Sequence, residues 1–209
     1  MIIKEIMKSD LTSISPETKL SDAYSIMHKK NIRHLPVIED NKLVGIVTDR
    51  DLRLATSRLA KHPFEPAEAV KQIMSHPVKT THPSDPIESA AQQMREMKIG
   101  CLPVVENNRV VGMVTITDML DALLLLTGIH QPSGRLDIRL SNRSGELAKL
   151  ASLLAELKVN IHSILTYPEK DNKIRLVLRI GSMEIRLIAQ SICNAGFEVV
   201  WPVQMSCVE

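Results

Sequence analysis

Aromatic side chains are nearly missing from this chain of 209 residues: Tyr24, Phe64, Tyr167, Phe197 and Trp201 are the whole set. Cores must therefore be built from Leu, Ile, Val, Met and Ala, and there is no platform on which bases of single-stranded nucleic acid would stack. A dominant charge is missing too. The formal net charge is +2, and the Lys and Arg residues are scattered, which excludes the basic stripe of a duplex binder. No helix-turn-helix with basic recognition residues stands out. Cysteines are few and odd in number. Cys101, Cys193 and Cys207 form no C-x-x-C, a pattern that fits a reducing cytoplasm better than a disulfide framework. The seven histidines form no H-x-x-x-H pair and no cluster with cysteine, so no metal is expected. Met1-Ile2-Ile3-Lys4-Glu5 lacks the apolar region of a signal peptide. The most apolar run, Met119 to Leu126, is interrupted by Asp121 and is far too short to cross a bilayer. The expectation is a cytoplasmic protein without membrane or nucleic-acid partners.

What is present is a repeat. Shifted by 67 residues, the stretch 6–52 falls on 73–119 without a gap and with 16 identities in 47 positions. Leu35-Pro36-Val37 falls on Leu102-Pro103-Val104, Val44-Gly45 on Val111-Gly112, and Asp51 on Asp118. One unit used twice predicts two copies packed with pseudo-two-fold symmetry. Each copy reads as an irregular start, an extended piece ending at Pro16 or Pro83, and a helix. Two short strands around a polar turn and a closing helix follow. In the first helix of repeat 2, Asp85 is expected as N-cap, Pro86 in the first turn and Glu88 at N3. Pro36 and Pro103 cannot donate to a ladder and are expected at strand starts or edges. The joining segment, Arg53 to Gln72, reads as helix, break, helix around Pro63 and Pro66. Asp118 to Leu126 reads as a helix buried on more than one side.

The second strand of each copy runs straight into a helix through Thr48-x-x-Asp51 or Thr115-x-x-Asp118. A hydroxyl, a carboxylate and free backbone N–H groups meet there, a place fit to hold a sugar and a phosphate. The same residues also satisfy the pattern of a capping box. On one copy alone the cap is the simpler reading.

After the boundary Thr127 to Gly134, rich in Gly and Pro, the pattern changes. Residues 135–140 alternate as a strand does, and Leu147, Leu150, Ala151, Leu154 and Leu157 make one helical face. Two strands joined by a turn at 168–172 follow. A helix from Met183 to Ala195 with Gly196 at C′ comes next, then a strand from Phe197 to Trp201. The order is βαββαβ, a ferredoxin-like plan in an α+β or α/β protein.

The twin units, through Arg33-His34-Leu35-Pro36-Val37 with Gly45-Ile46-Val47-Thr48-x-x-Asp51, and through Cys101-Leu102-Pro103-Val104 with Gly112-Met113-Val114-Thr115-x-x-Asp118, resemble CBS domains, which occur in pairs as Bateman modules. The C-terminal part resembles an ACT domain through Asn142-Arg143-Ser144-Gly145-Glu146-Leu147 and Val159-Asn160-Ile161, with Ser144 where that family commonly has Pro. The domains expected are 1–60 for CBS repeat 1, 61–128 for CBS repeat 2 with its preceding linker, and 135–209 for the ACT-like part. The combination is similar to acetoin-utilisation proteins, which implies a role in acetoin or butanediol catabolism.

The resemblance implies two adenine-nucleotide sites in the cleft between the repeats, for AMP, ADP, ATP or a related ligand. Thr48 and Asp51 would work with Arg50, Val78, Lys79, Thr80 and Leu102. Thr115 and Asp118 would work with Leu11, Thr12, Ser13 and Leu35, backed by Arg33 and His34. The acid would take ribose hydroxyls and the arginines phosphate. The twins differ, so unequal sites are expected, with the Asp118 cleft favoured. Arg143, Ser144 and Gly145 form a possible ACT ligand loop, although dimerisation is the favoured role. These features imply a non-catalytic regulatory homodimer acting on a partner protein. The alternatives are a structural interaction module with empty clefts, an ACT-based amino-acid sensor, or an enzyme. For an enzyme, Asp49, Asp51 and Cys101 offer reactive groups, but no nucleophile–base pair, metal set or Walker loop accompanies them.

Overall fold

The computed structural model describes residues 1–203 and divides into two compact units, Met1–Leu120 and Asp121 onward. Cys207 lies outside the described residues.

In the first unit each repeat folds its two strands into a hairpin. β1 (His34–Glu39) pairs antiparallel with β2 (Lys42–Thr48), and β3 (Cys101–Glu106) pairs with β4 (Arg109–Thr115). Asp40-Asn41 and Asn107-Asn108 turn the two chains with positive φ, the conformation a two-residue hairpin loop demands and Asn and Asp tolerate. The extended pieces lie along the other side of β1 and β3, where Ile14 bridges Val37 and Thr81 bridges Val104 in parallel. Helices α1 (Leu20–Lys30) and α3 (Ile87–Met97) precede the hairpins. Both end on a left-handed residue, Asn31 or Lys98. Helices α2 (Asp49–Ala55) and α4 (Ile116–Leu126) follow them.

The start of each repeat completes the core of the other. Ile3, fully buried, packs with Ala90, Met94, Leu102, Val104 and Val114 of repeat 2. Its counterpart under the 67-residue shift, Val70, packs with Leu20, Ala23, Leu35 and Val47 of repeat 1. The backbone bonds match. Ile3 and Lys4 donate to the carbonyls of Asp85 and Pro83, while Val70 and Lys71 donate to those of Thr18 and Pro16. Met7 and Met74 then lie over Gly112 and Gly45; a Cβ on Gly112 would sit 2.8 Å from the Met7 sulfur. Between the repeats Ile46, Cys101 and Met113 form a small cluster with Leu11 and Val78. Packing thus crosses the expected boundary at residue 60, because each opening segment is exchanged.

Three local expectations are corrected. Asp85 does not cap α3: its carboxylate accepts bonds from the Thr81 hydroxyl (2.8 Å) and the His82 N–H (2.7 Å), and Pro86 occupies the N-cap position. The link after α2 contains no second α-helix, only a 3-10 turn at Val70–Gln72. Helix α4 is not buried on several sides. Leu120, Leu123, Leu124, Leu125 and Leu126 are exposed, whereas Asp118 and Ala122 are buried.

In the second unit the elements are β5 (Gly134–Ser141), α5 (Glu146–Glu156), β6 (Ile161–Pro168), β7 (Lys173–Ile180), α6 (Ile185–Asn194) and β8 (Glu198–Trp201). The sheet order is β6-β7-β5-β8 with every neighbouring pair antiparallel. This is the split βαβ arrangement. Alternation sends Leu136, Ile138, Leu140, Leu176, Leu178 and Ile180 to the helix-covered face, against Leu150, Leu154, Ile188 and Ile192. The other face carries charge. Asp137, 5% exposed, lies 2.7 Å from Arg135, and Glu169 joins Arg175 (2.5 Å) to Arg139. Gly196, with φ +88°, follows α6. There Gly196 N–H bonds Cys193 and Phe197 N–H bonds Ile192, a Schellman close.

Cys101 is a free, buried thiol. Cys193, near the end of α6, is buried. Among the described residues no helix is long and apolar enough to cross a membrane, and no group of His, Cys, Asp and Glu is placed to hold a metal.

Candidate functional site

The two Thr-x-x-Asp motifs stand at equivalent strand-to-helix junctions, and their geometry is nearly superposable. At the first, Asp51 Oδ2 accepts the Thr48 N–H (2.9 Å) and hydroxyl (2.7 Å), and Thr48 Oγ1 accepts the Asp51 N–H (3.2 Å). At the second, the corresponding distances for Asp118 and Thr115 are 2.7, 2.6 and 3.4 Å. Both are closed capping boxes, so the cap reading holds at each. In both cases Oδ2 is spent on the box and Oδ1 is left over.

The fate of Oδ1 separates the twins. Asp118 is 4% exposed, and its Oδ1 lies 3.3 Å from the Lys8 ammonium. Lys8 is held there because its backbone pairs both ways with Met113 on β4. The equivalent residue in repeat 2 is Ser75, which pairs in the same way with Ile46 but carries no charge. Asp51 is half-buried, and among the described residues its Oδ1 has no hydrogen bond or ion pair. Lys8 was not among the residues singled out from the sequence. The signal was the Lys-for-Ser difference between positions 8 and 75 in an otherwise matched stretch.

His34 sits nearer the first motif than expected. It lies opposite Thr48 in the hairpin, and the Arg33 carbonyl accepts the Asp49 N–H (3.0 Å). Burial, followed by the Arg33 charge, lowers the pKa of the imidazole, and Asp51 opposes them. Its ring also reaches repeat 2: a Cβ on Gly100 would sit 3.0 Å from His34 Nε2. Strand register places Arg33 and His34 beside Thr48 and Asp51, while Gly100, which the His34 ring meets, accepts the Ile116 N–H (3.1 Å) at the start of α4. Cys101, the counterpart of His34, has its thiol pushed up to about 12 by burial, with Asp51 adding to the effect. A thiol held neutral is a poor nucleophile.

Leu35 and Leu102 are fully buried in the cores of repeats 1 and 2, so their side chains are not available to a ligand. Leu11 and Val78 meet in the cluster between the repeats, as the pairing of early segments across the seam requires. Thr12 accepts a bond from Lys30 (2.8 Å), while Ser13, Lys79, Thr80, Arg33 and Arg50 are exposed. Arg143, Ser144 and Gly145 form an exposed turn before α5. Two cavities are outlined, of about 320 and 490 Å³, both in the second unit. The smaller is lined by residues such as Lys158, Gly181 and Glu184, the larger by Arg139, Glu169 and Lys173. Neither is lined by the Arg143–Gly145 turn or by a Thr-x-x-Asp motif.

The model of the CBS domain matches residues 3–58 and 70–125. The chain belongs to the CBS-domain family. Both matches include their Thr-x-x-Asp motif, and the first begins at Ile3, the residue that opens the exchanged segment. Among solved structures, the chain resembles the CBS domain pair of the protein MJ0100 in complex with 5′-methylthioadenosine and S-adenosyl-L-methionine. Identity is 30%, with a TM-score of 0.53 over 59% of this chain and 95% of that one. It resembles the acetoin utilization protein AcuB from Vibrio cholerae at 31% identity, with a TM-score of 0.53 over 63% of this chain and 98% of that one. It also resembles CBSX2 in complex with AMP at 27% identity, with a TM-score of 0.51 over 59% and 96% of the two chains.

Proposed function

We propose that this CBS-domain protein is a non-catalytic regulator that binds an adenine nucleotide between its repeats and passes the binding state to a partner protein. The observation that carries this reading is the duplicated capping box. Each box spends one aspartate oxygen on its own threonine; the other is open to ligand donors at Asp51 and is shared with Lys8 at Asp118. A ribose presents two adjacent hydroxyls, and an ionised carboxylate is an acceptor matched to them. Arg50, exposed on the first turn of α2, is available to phosphate. Two of the similar structures hold ligands built on adenosine, which supports an adenine-bearing class. Thr48, Asp51, Arg50, Val78, Lys79 and Thr80 belong to one site in this reading, and Thr115, Asp118, Leu11, Thr12 and Ser13 to the other.

The second unit is read as an ACT domain that joins two copies of the chain, in keeping with its βαββαβ order. The resemblance to AcuB supports a cytoplasmic role in acetoin or butanediol utilisation. A ligand would act by its differential affinity for two arrangements of the dimer.

The test is a thermal-shift screen of the full chain with AMP, ADP, ATP, NAD(H), S-adenosylmethionine and cyclic di-AMP. A one-site ligand at ~100 times its Kd adds about 2.7 kcal/mol. The expected result is stabilisation by at least one adenine nucleotide, weakened by Asp51→Ala. No shift with any of them defeats the reading. Light scattering behind size exclusion checks the dimer, with twice the chain mass expected.

A further inference from the structure

Within the nucleotide reading, on which this inference rests, the geometry points to Lys8 as a built-in competitor at one of the two sites. It makes the Asp51 site the one that fills first. The duplication supplies its own control. Positions 8 and 75 are equivalent, are pinned by the same pair of backbone bonds to β4 and β2, and differ in side chain. At position 8 the ammonium lies 3.3 Å from Asp118 Oδ1, the oxygen left over from the capping box. At position 75 a serine leaves Asp51 Oδ1 without a partner among the described residues.

A diol arriving at Asp118 must compete with a cation already seated there. A diol arriving at Asp51 meets a half-buried carboxylate with an open oxygen. Other groups around Asp51 do not cancel the difference. Arg53 is paired with Asp49 (2.8 Å), and the burial and neighbouring charge of His34 favour its neutral form. The Lys8 side chain is 71% exposed, so its hold on Asp118 is screened and moderate. The consequence is a graded pair: the Asp51 site responds at lower nucleotide concentration, and the Asp118 site at higher concentration with release of Lys8. Lys8 belongs to the exchanged opening segment, so filling the second site also removes one contact that holds this segment to repeat 2.

The experiment is isothermal titration of the full chain with AMP, repeated with ATP. Asp51→Ala isolates the Asp118 site. Adding Lys8→Ser to it is expected to tighten binding about tenfold, the scale of a charge-assisted bond discounted for exposure. Lys8→Arg, which keeps the charge, is expected to leave affinity near that of Asp51→Ala alone. The reciprocal change, Ser75→Lys in the otherwise unaltered chain, is expected to weaken the tighter site. If Lys8→Ser loosens binding or leaves it unchanged while the unaltered chain binds AMP or ATP, the competitor role is wrong and the nucleotide reading survives. If no variant and no unaltered chain binds either nucleotide, both fall together.

Discussion

Replacing Ile3 by alanine should damage the second repeat, although Ile3 is the third residue of the chain and repeat 2 begins some seventy residues later. Terminal residues are ordinarily frayed and tolerant. Ile3 is instead fully buried among Ala90, Met94, Leu102, Val104 and Val114. Truncating such a side chain removes its transfer free energy and leaves a cavity, a loss of about 2–5 kcal/mol. The lower half of that range is excluded if the site cannot collapse. The N–H groups of Ile3 and Lys4 are each tied to a carbonyl 2.9 Å away, so the segment cannot slide inward. Ile2, 38% exposed, is the internal control, and Ile2→Ala should stay within about 0.5 kcal/mol. The assay is native-state hydrogen exchange at the amides of α3, which packs directly on Ile3. A loss of about 3.5 kcal/mol or more corresponds to exchange faster by at least roughly 300-fold. Exchange in α3 no faster for Ile3→Ala than for Ile2→Ala would refute the exchanged-segment account.

Other expectations follow from single contacts. Thr48→Ala removes an N-cap and the hydroxyl that anchors Asp51, and should cost about 1 kcal/mol in urea denaturation while also weakening AMP binding. Gly134→Ala should destabilise the second unit by more than a typical surface change, because a Cβ there would lie 2.5 Å from the Ser182 carbonyl oxygen; loss of the β5 amide protection reads this out. The Asp85 pKa is lowered by the His82 N–H and then the Thr81 hydroxyl, so its contribution is present above the unfolded carboxylate value of about 3.9 and is lost as pH falls through the lower folded one. Asp85→Asn should reduce that acid sensitivity in pH-dependent unfolding. His34 is also lowered, mainly by burial. The unfolded chain therefore binds the proton first as pH falls below about 6.5, and stability should drop there by an amount that His34→Gln removes.

Much of the fold can be read from local pattern. The 67-residue shift, the Leu-Pro strands and the Thr-x-x-Asp boxes identify two like hairpins with capped helices, and the alternation in 135–140 and 174–180 identifies the second sheet. Three things cannot be read in this way. The exchange of Ile3 and Val70 is a contact between distant segments, and periodicity reports only which face of an element is apolar. Asp85 has the sequence context of an N-cap, but the Thr81 and His82 donors claim its carboxylate first. The leucines of α4 satisfy an apolar pattern, yet burial is decided by what covers a helix and not by its composition. In the candidate site, the motif located Asp51 and Asp118, but only the register of position 8 against β4 shows that one of them already holds a cation.

The most direct measurement of the central claim is the affinity of AMP for the full chain and for Asp51→Ala, by isothermal titration under one salt condition. The account predicts saturable binding to the unaltered chain and at least tenfold weaker binding after the substitution. Equal affinity in both, or no binding of AMP, ADP or ATP to the unaltered chain, would contradict it.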